Sequence, residues 1–395
     1  MAEFFYCNRR LSPGKINLFL EIEGRRPDGY HLLSTVMQAV APADDVTLKI
    51  KRLDEVKQAP GLPQQGGKDA LILTEPVDPP ILSPGRPAVT INSSARFLEL
   101  SRKLACSPEN NLMTKAIVAF WSDFIDPFLP ADGAPRWRVL QDLEKQVPAQ
   151  AGLGGGSGNA AAVLCLLADY LRADQSLRHC FSIPVPSATE LRRTAARLGA
   201  DVPFFIEGGL AYCEGIGDRI KQLPPLPGYP LLFVQPDLPV STAQAFRLWD
   251  EENGYSDLTG SRDRTGRCHK TLAAGLNPFA QSPLKNISTS ATRSCAIQPL
   301  AALKAIREDR LSSLRQVGGN IFEHLIAPLG ALVQAVGQLA YPAGADLVQL
   351  SGSGSAVYCI FKSEEERDAL FHRFGSRTDF AGLTCRVWPG HFLNG

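Results

Sequence analysis

The sequence offers no apolar run near the roughly 20 residues that a helix needs to cross a bilayer. Its opening stretch, MAEFFYCNRRLSPGKINLFL, has no basic segment leading into a long apolar core and a small-residue cleavage site. Neither a membrane partner nor a secretory signal is therefore expected, and the stretch before Lys15 is short for a transit peptide. The expected location is the cytoplasm. Net charge is almost absent too: 41 basic residues against 40 acidic ones leave +1. A broad nucleic-acid footprint is not expected from that balance, although a small local basic site is compatible with it. None of the nine cysteines, scattered from Cys7 to Cys385, forms a CxxC pair. A zinc ribbon or thioredoxin-type motif is thus unsupported, and free thiols in a reducing compartment are the simpler reading.

What is present is the composition of a globular chain, 44% hydrophobic and 21% charged over 395 residues, enough for two domains. KINLFLEI (Lys15–Ile22), LLSTVMQAV and DDVTLKI (Asp44–Ile50) read as three strands of a β-meander, with the turn GRRPDGYH (Gly24–His31) after the first. Residues 52–90 and 253–295 are polar and read as surface insertions. NNLMTKAIVAFWSDF (Asn110–Phe124) has helical spacing, and WRVLQDLEKQVP (Trp137–Pro148) reads as a strand. Ser187–Gly199 is a helix with a capping-box signature, Ser187 with Glu190, and a glycine stop. PLLFVQP (Pro230–Pro236) opens a second strand set after a break at Leu223–Gly228. A helix near Ala331–Tyr341, a Gly-Ser loop at Ser351–Ser355, the strand AVYCIF, a charged helix from Ser363 and a strand near Leu383–Val387 complete the chain.

Between the expected strand and a helix rich in Ala and Leu (Asn159–Arg172) lies PAQAGLGGGSGN (Pro148–Asn159). A linker does not suit a segment with a strand running in and a compact helix running out. A dinucleotide fingerprint fails on spacing. A GxGxxG frame opened at Gly152 ends on Ser157, one opened at Gly154 ends on Asn159, and one opened at Gly156 reaches only Ala161. A Walker A loop fails because no Gly-Lys-Ser/Thr follows. A phosphate cradle agrees with the physics. Glycines let the backbone approach a ligand, successive N–H groups converge on an anion, and the following helix presents unpaired N–H groups. Ser157 and Asn159 add polar side chains there.

Three distant segments accompany this loop: SPGKINLFL with RRPDGYH, LGADVPFF (Leu198–Phe205) and LSGSGSAVYCIF (Leu350–Phe361). In order and spacing they resemble the GHMP kinase superfamily. PxKxNLFL followed by DGYH is similar within it to the 4-diphosphocytidyl-2-C-methyl-D-erythritol kinase family of the non-mevalonate isoprenoid route. The resemblance excludes the insertions near 52–90, 121–136 and 253–295. It implies an α+β, two-domain GHMP kinase fold. Residues 1–224 would form a ribosomal S5 domain 2-like N-terminal domain, and residues 225–395 a ferredoxin-like C-terminal domain.

The same resemblance implies ATP-dependent phosphorylation of the 2-hydroxyl of 4-diphosphocytidyl-2-C-methyl-D-erythritol, with Mg²⁺ and no assigned protein metal ligands. Lys15 and Asp201 would carry the chemistry. The ATP site would comprise Pro148, Ala149, Gln150, Ala151, Gly152, Leu153, Gly154, Gly155, Gly156, Ser157, Gly158 and Asn159, with Asn111 and Leu112 at the adenine. Asn17, Tyr30, His31, Thr242 and Phe246 would face the substrate. His31 would read the cytosine edge, and Tyr30 and Phe246 would sandwich the ring. Each residue also has a plain alternative: a solvated strand lysine at 15, a turn cap at Asp201, a structural histidine at 31, a core phenylalanine at 246 and an ordinary helix start at Asn111. One departure stands out. Many members carry GGGSSNAA, whereas this chain has GGGSGNAA, with Gly158 in place of the second serine. Rival expectations are a GHMP kinase for another alcohol, such as homoserine or mevalonate, and an S5-like RNA-binding module.

Overall fold

The structure, a computed structural model, describes residues 5–52, 81–82, 89–130, 135–238, 240–255, 299–317 and 319–394. Most of the expected insertion at 52–90 and nearly all of that at 253–295 lie outside the described residues. Of the segment 121–136, residues 131–134 lie outside them; its first part completes a helix and a short turn at Asp126–Phe128. The chain forms two compact units, each assembled from separated segments. One comprises Met1–Pro13, Ala43–Val147 and Gly155–Glu207, and the other Gly14–Pro42, Pro148–Gly154 and Gly208–Gly395. Strands β1 (Phe5–Arg25) and β2 (His31–Arg52) contribute residues to both.

In the first unit the far half of β2 pairs antiparallel with β5, from Asp45↔Glu144 to Arg52↔Trp137. The sheet continues through β4 (Val89–Ser93), parallel to β5 (Trp137–Glu144), to the short β3 (Ile81–Leu82). Burial alternates along β5, so Trp137, Val139, Gln141 and Leu143 point inward, as period-2 geometry requires. Helices α1 (Ala95–Lys103), α2 (Leu112–Phe124), α3 (Gly155–Ala173), α4 (Gln175–Phe181) and α5 (Ala188–Leu198) complete it. α3 is buried on nearly every face, which its Ala/Leu content permits. The hydroxyl of its buried Tyr170 is paired. Trp137 Nε1 donates to the Tyr170 hydroxyl at 2.7 Å, and that hydroxyl lies 3.2 Å from Asp174, which meets Arg52 at 2.5 Å. The capping box at Ser187 and Glu190 forms as expected, with Gly199 ending α5.

In the second unit β6 (Leu210–Gly215) pairs with the near half of β2 and with β7 (Arg219–Gln222). β8 (Pro230–Pro236) is buried at all seven positions, so it takes a continuous apolar run in place of an alternating one. Further along come α6 (Thr242–Glu252), α7 (Pro299–Arg307), α8 (Leu314–Val317), β9 (Gly319–Asn320), α9 (Phe322–Leu325) and α10 (Ala327–Ala340). Then follow β10 (Leu347–Leu350), β11 (Val357–Ile360), α11 (Glu364–Phe374), β12 (Arg377–Phe380) and β13 (Leu383–Phe392). The sheet order here is β10–β11–β8–β13, every pair antiparallel. No helix among the described residues is long and apolar enough to cross a membrane.

Two expectations change. The second and third strands of the supposed meander are one strand of 22 residues. Pro42 suggests a break, but it sits between partners: β2 pairs with β13 at Val40 and Ala41 and with β5 from Asp45 onward. A residue without an N–H is tolerated where no ladder bond is required. The strand expected to run to Pro148 stops at Glu144. Asp44 explains the stop. Its buried carboxylate accepts from the N–H groups of Gln146 and Val147, both at 2.7 Å, and from Lys145 Nζ at 2.6 Å. Side-chain capture of two successive N–H groups bends the chain out of the ladder, immediately before the glycine loop.

Asp44→Ala leaves the buried Val147 N–H, the part-buried Gln146 N–H and the half-buried Lys145 ammonium without their acceptor, so a loss of about 3–5 kcal/mol is expected. Chemical denaturation of the full chain checks it; a loss below about 1 kcal/mol would show that water replaces the carboxylate at little cost.

Candidate active site

Lys15 is 3% exposed, which rules out a solvated strand lysine. Its Nζ donates to Asn17 Oδ1 at 2.7 Å, Asn17 Nδ2 donates to Thr35 Oγ1 at 2.9 Å, and that hydroxyl donates to the Phe19 carbonyl at 2.6 Å. A buried ammonium requires such fixed acceptors. Lys15 and Asn17 stand two apart on β1, so both project from one face. The main chain of Lys15 is tied down as well. Its N–H donates to the Leu153 carbonyl at 2.8 Å, and its carbonyl accepts from Ser351 Oγ at 3.3 Å.

The first half of the glycine loop belongs to the same unit. Its carbonyls turn into the protein: Ala149 accepts from Gln235 at 3.3 Å, Ala151 from the Ala356 N–H at 3.1 Å, and Gly152 from Ser351 Oγ at 3.1 Å. Gln150, Gly152 and Gly154 have φ of 56°, 74° and 66°. Alternation of left-handed residues with ordinary ones is the geometry by which successive N–H groups form an anion-binding concavity. Gln150 adopts it without being glycine, at a cost of about 1 kcal/mol or more. At Gly152 a Cβ would lie 2.1 Å from the Ser351 carbonyl, so only glycine fits against the Gly-Ser loop. A Cβ on Gly352 would in turn lie 3.0 Å from Lys15 Nζ.

The second half of the loop opens α3 in the first unit, and α3 begins at Gly155, four residues before the expected Asn159. The small residues Gly155 to Gly158 are thus already helical, which puts the helix start inside the loop. A Cβ at Gly155 would meet Lys145 Nζ at 2.8 Å, so that cation stands beside the first turn. Burial pulls the Lys145 ammonium below the ordinary lysine range, and Asp44 pushes it partly back. Gly156 is open except for Leu112 Cδ1, 3.9 Å from where its Cβ would be. Ser157 is half-buried. Asn159 is buried, and its Oδ1 has no hydrogen-bond partner among the described residues. Asn111 caps α2, its Oδ1 accepting from the Met113 N–H at 2.9 Å. The helix-start reading of Asn111 is therefore realised, and Leu112 stands near Gly156.

Gly158 is a packing glycine. A Cβ there would lie 2.6 Å from Ser12 Oγ and 2.9 Å from the Pro13 carbonyl. Ser12 is buried, and its Oγ has no hydrogen-bond partner among the described residues. Asp201 sits half-buried in the turn between α5 and the Pro203–Ile206 turn. Val202, Phe204 and Phe205 behind it are buried and anchor that turn. Among the described residues, no group of three or more His, Cys, Asp or Glu side chains gathers at metal-binding distance.

The substrate-side residues divide. Tyr30 is 61% exposed at the end of a turn in which Gly29 has φ of 91°. His31 stacks on Phe246, centroids 4.5 Å apart at 26°, and meets the edge of Trp249 at 5.5 Å. In this state one face of Phe246 is covered by His31, and Phe322 meets the ring in a T-shaped contact at 5.2 Å. Thr242 Oγ1 lies 3.0 Å from Ser353 Oγ, joining α6 to the Gly-Ser loop. Sequence reasoning missed Asp250 and Arg25. Asp250 Oδ1 is 2.8 Å from His31 Nε2, and its other oxygen is 3.2 Å from Arg25 Nη1. The i,i+4 spacing of Phe246 and Asp250 on α6 was the available signal.

The GHMP kinases N terminal domain matches residues 115–209, and the GHMP kinases C terminal domain matches residues 302–378. The chain is 30% identical over 383 residues to 4-diphosphocytidyl-2-C-methyl-D-erythritol kinase of Desulfitobacterium hafniense (strain Y51), covering 96% of this chain and 93% of that one. Among solved structures, a 4-(cytidine 5'-diphospho)-2C-methyl-D-erythritol kinase has a TM-score of 0.55 at 23% identity, covering 98% of this chain and 100% of that one. A homoserine kinase from Cytophaga hutchinsonii has a TM-score of 0.54 at 15% identity, covering 98% and 96%. Both structural likenesses show the mixed α+β fold alone.

Gly158→Ser forces β1 and α3 apart against a backbone carbonyl. Overpacking costs about 1–3 kcal/mol and helix propensity returns up to about 1 kcal/mol. A net loss of about 1–2 kcal/mol in denaturant titration is expected; a gain in stability would show that the neighbouring strand yields freely. A second outcome concerns Glu323, whose Oε1 accepts the Leu350 N–H at 2.7 Å just before the Gly-Ser loop. The residue keeps some surface, but its carboxyl end is enclosed, and burial pushes its pKa from 4.5 up to about 7. A raised carboxyl pKa makes the folded form bind the extra proton, so its stabilising contribution is full below pH 4.5 and is lost as pH rises through about 7. Glu323→Gln should flatten the stability profile in that window by up to about 3 kcal/mol; identical profiles for the two proteins would refute the burial effect.

Proposed function

The chain belongs to the 4-diphosphocytidyl-2-C-methyl-D-erythritol kinase family within the GHMP kinases, and on that footing we propose that it transfers the γ-phosphoryl group of ATP to the 2-hydroxyl of 4-diphosphocytidyl-2-C-methyl-D-erythritol. The observation that carries the reading is Lys15: a buried ammonium held by Asn17, on a main chain bonded to the glycine loop at Leu153. A fixed positive charge attached to a phosphate-binding segment has a clear use in phosphoryl transfer, where alignment and charge stabilisation dominate.

In this mechanism the hydroxyl oxygen forms a bond to the γ-phosphorus while the bond from that phosphorus to the bridging oxygen of ADP breaks. Asp201 orients the hydroxyl and takes its proton as attack proceeds. Lys15 offsets charge on the transferring group. Residues Pro148 to Asn159 receive the triphosphate, from Ala149 onward through their N–H groups, with Leu112 beside the loop at the adenine end. Mg²⁺, when bound, neutralises charge on the phosphates. Ser157 and Asn159 Oδ1 at the start of α3, the latter without a hydrogen-bond partner among the described residues, are oxygen donors of the kind such a hard cation, or its water shell, accepts. Tyr30, His31, Thr242 and Phe246 serve the cytidine end. The cytoplasm is the corresponding location.

Homoserine or mevalonate would give the His31–Phe246–Trp249 aromatic cluster no base to recognise. A neutral chain with a carboxylate at position 201 likewise disfavours an RNA-binding role.

An ATP-consumption assay on the purified chain, offering the cytidyl substrate, mevalonate and homoserine in turn, should register turnover with the first alone. Asp201→Asn should then lower kcat by about 10²-fold or more while leaving ATP binding within about twofold. Near-normal turnover in that variant would remove Asp201 from the chemistry.

A further inference from the structure

His31 has two ring nitrogens, and one is already committed. Nε2 lies 2.8 Å from Asp250 Oδ1, and an ionised carboxylate only accepts, so Nε2 carries a hydrogen. Asp250 is 5% exposed and pairs through its other oxygen with Arg25 at 3.2 Å. Its negative charge is therefore already paired with a cation, and Nε2 serves it as an N–H donor. The ring is clamped as well, flat on Phe246 at 4.5 Å and against the edge of Trp249 at 5.5 Å. What remains for a ligand is Nδ1.

We propose that Asp250 is a positioning residue that fixes His31 as a hydrogen-bond acceptor toward the base of the substrate, and so selects a 4-amino pyrimidine over a 4-oxo one. The inference rests on the cytidyl substrate reading above. An acceptor at Nδ1 matches the exocyclic amino group of cytosine, a donor, and opposes the carbonyl oxygen that uracil carries at that position. Discrimination of this kind requires a nitrogen that cannot change role. A histidine free to exchange tautomers would accept from cytosine or donate to uracil with similar ease. Asp250 removes that freedom from the side of the ring away from the ligand, as outer-shell carboxylates do for metal-bound histidines.

Asp250→Asn has the same shape but offers both a donor and an acceptor to Nε2, which releases the tautomer. Calorimetric titration of the full-length protein with cytidine 5′-diphosphate and with uridine 5′-diphosphate should show the wild type preferring the former by about 10-fold or more, in line with one well-placed base contact. The variant should prefer it by no more than about twofold, through weaker cytidine binding. Its KM for the cytidyl substrate should rise about 10-fold, with kcat and the KM for ATP within about twofold of wild type. Nitrogen-15 NMR of histidine-labelled wild-type protein supplies a measurement independent of the variant's folding; the His31 hydrogen should be on Nε2 and Nδ1 should be bare. A variant that keeps the wild-type preference overturns the proposal, as does a wild-type His31 whose hydrogen is on Nδ1. A wild type that does not distinguish the two diphosphates overturns the cytidyl reading itself and this inference with it, which sets the two failures apart.

Discussion

Keeping the Lys15 ammonium out of water is the constraint around which the second unit is arranged. A buried cation is tolerable only with acceptors held in place, and each acceptor near Lys15 is held by something else. Asn17 presents its oxygen to the ammonium because its nitrogen is taken by Thr35, and Thr35 is oriented by the Phe19 carbonyl. The carbonyl of Asn17 accepts from Tyr358 at 2.7 Å and from Gln349 at 3.1 Å, which ties β1 to β11 and β10. Ser351 reaches both Lys15 and Gly152, and the Leu153 carbonyl takes the Lys15 N–H. Loop, lysine and Gly-Ser segment are thus one hydrogen-bonded piece, and the conformation of the glycine loop follows from the need to enclose a charge.

Much of this was legible in the amino-acid sequence, for identifiable reasons. The capping box at Ser187, the β8 run and the helix at Asn111 are encoded by residues a few positions apart, where propensity and hydrogen bonding act without help. The continuous β2 was not legible, because Pro42 signals a break locally and the reason it is tolerated is a change of partner strand supplied from distant segments. The early stop of β5 was hidden for a similar reason. Its cause is Asp44, about a hundred positions away in the chain.

The site shows the same division. Residues that lie in recognisable motifs, Lys15, Asp201, His31 and the glycine loop, could be named from spacing and resemblance. Asp250 was marked only by its i,i+4 spacing from Phe246, and Arg25 lay unremarked within RRPDGYH, since Asp250 matters through meeting His31, 219 positions away, and Arg25 through meeting Asp250. Asn17, expected at the substrate, gives its amide oxygen to Lys15 and one amide hydrogen to Thr35, each atom having a second bonding position. A motif marks where a residue stands, whereas its partners decide which of its atoms remain available.

Gly158 sets a limit of a different kind. The space a side chain at 158 would need is already taken by Ser12 and the Pro13 carbonyl. Positions 12 and 158 are therefore coupled: the cost of a side chain on the helix depends on how far the strand side can withdraw, and a survey scoring each position separately would miss that dependence.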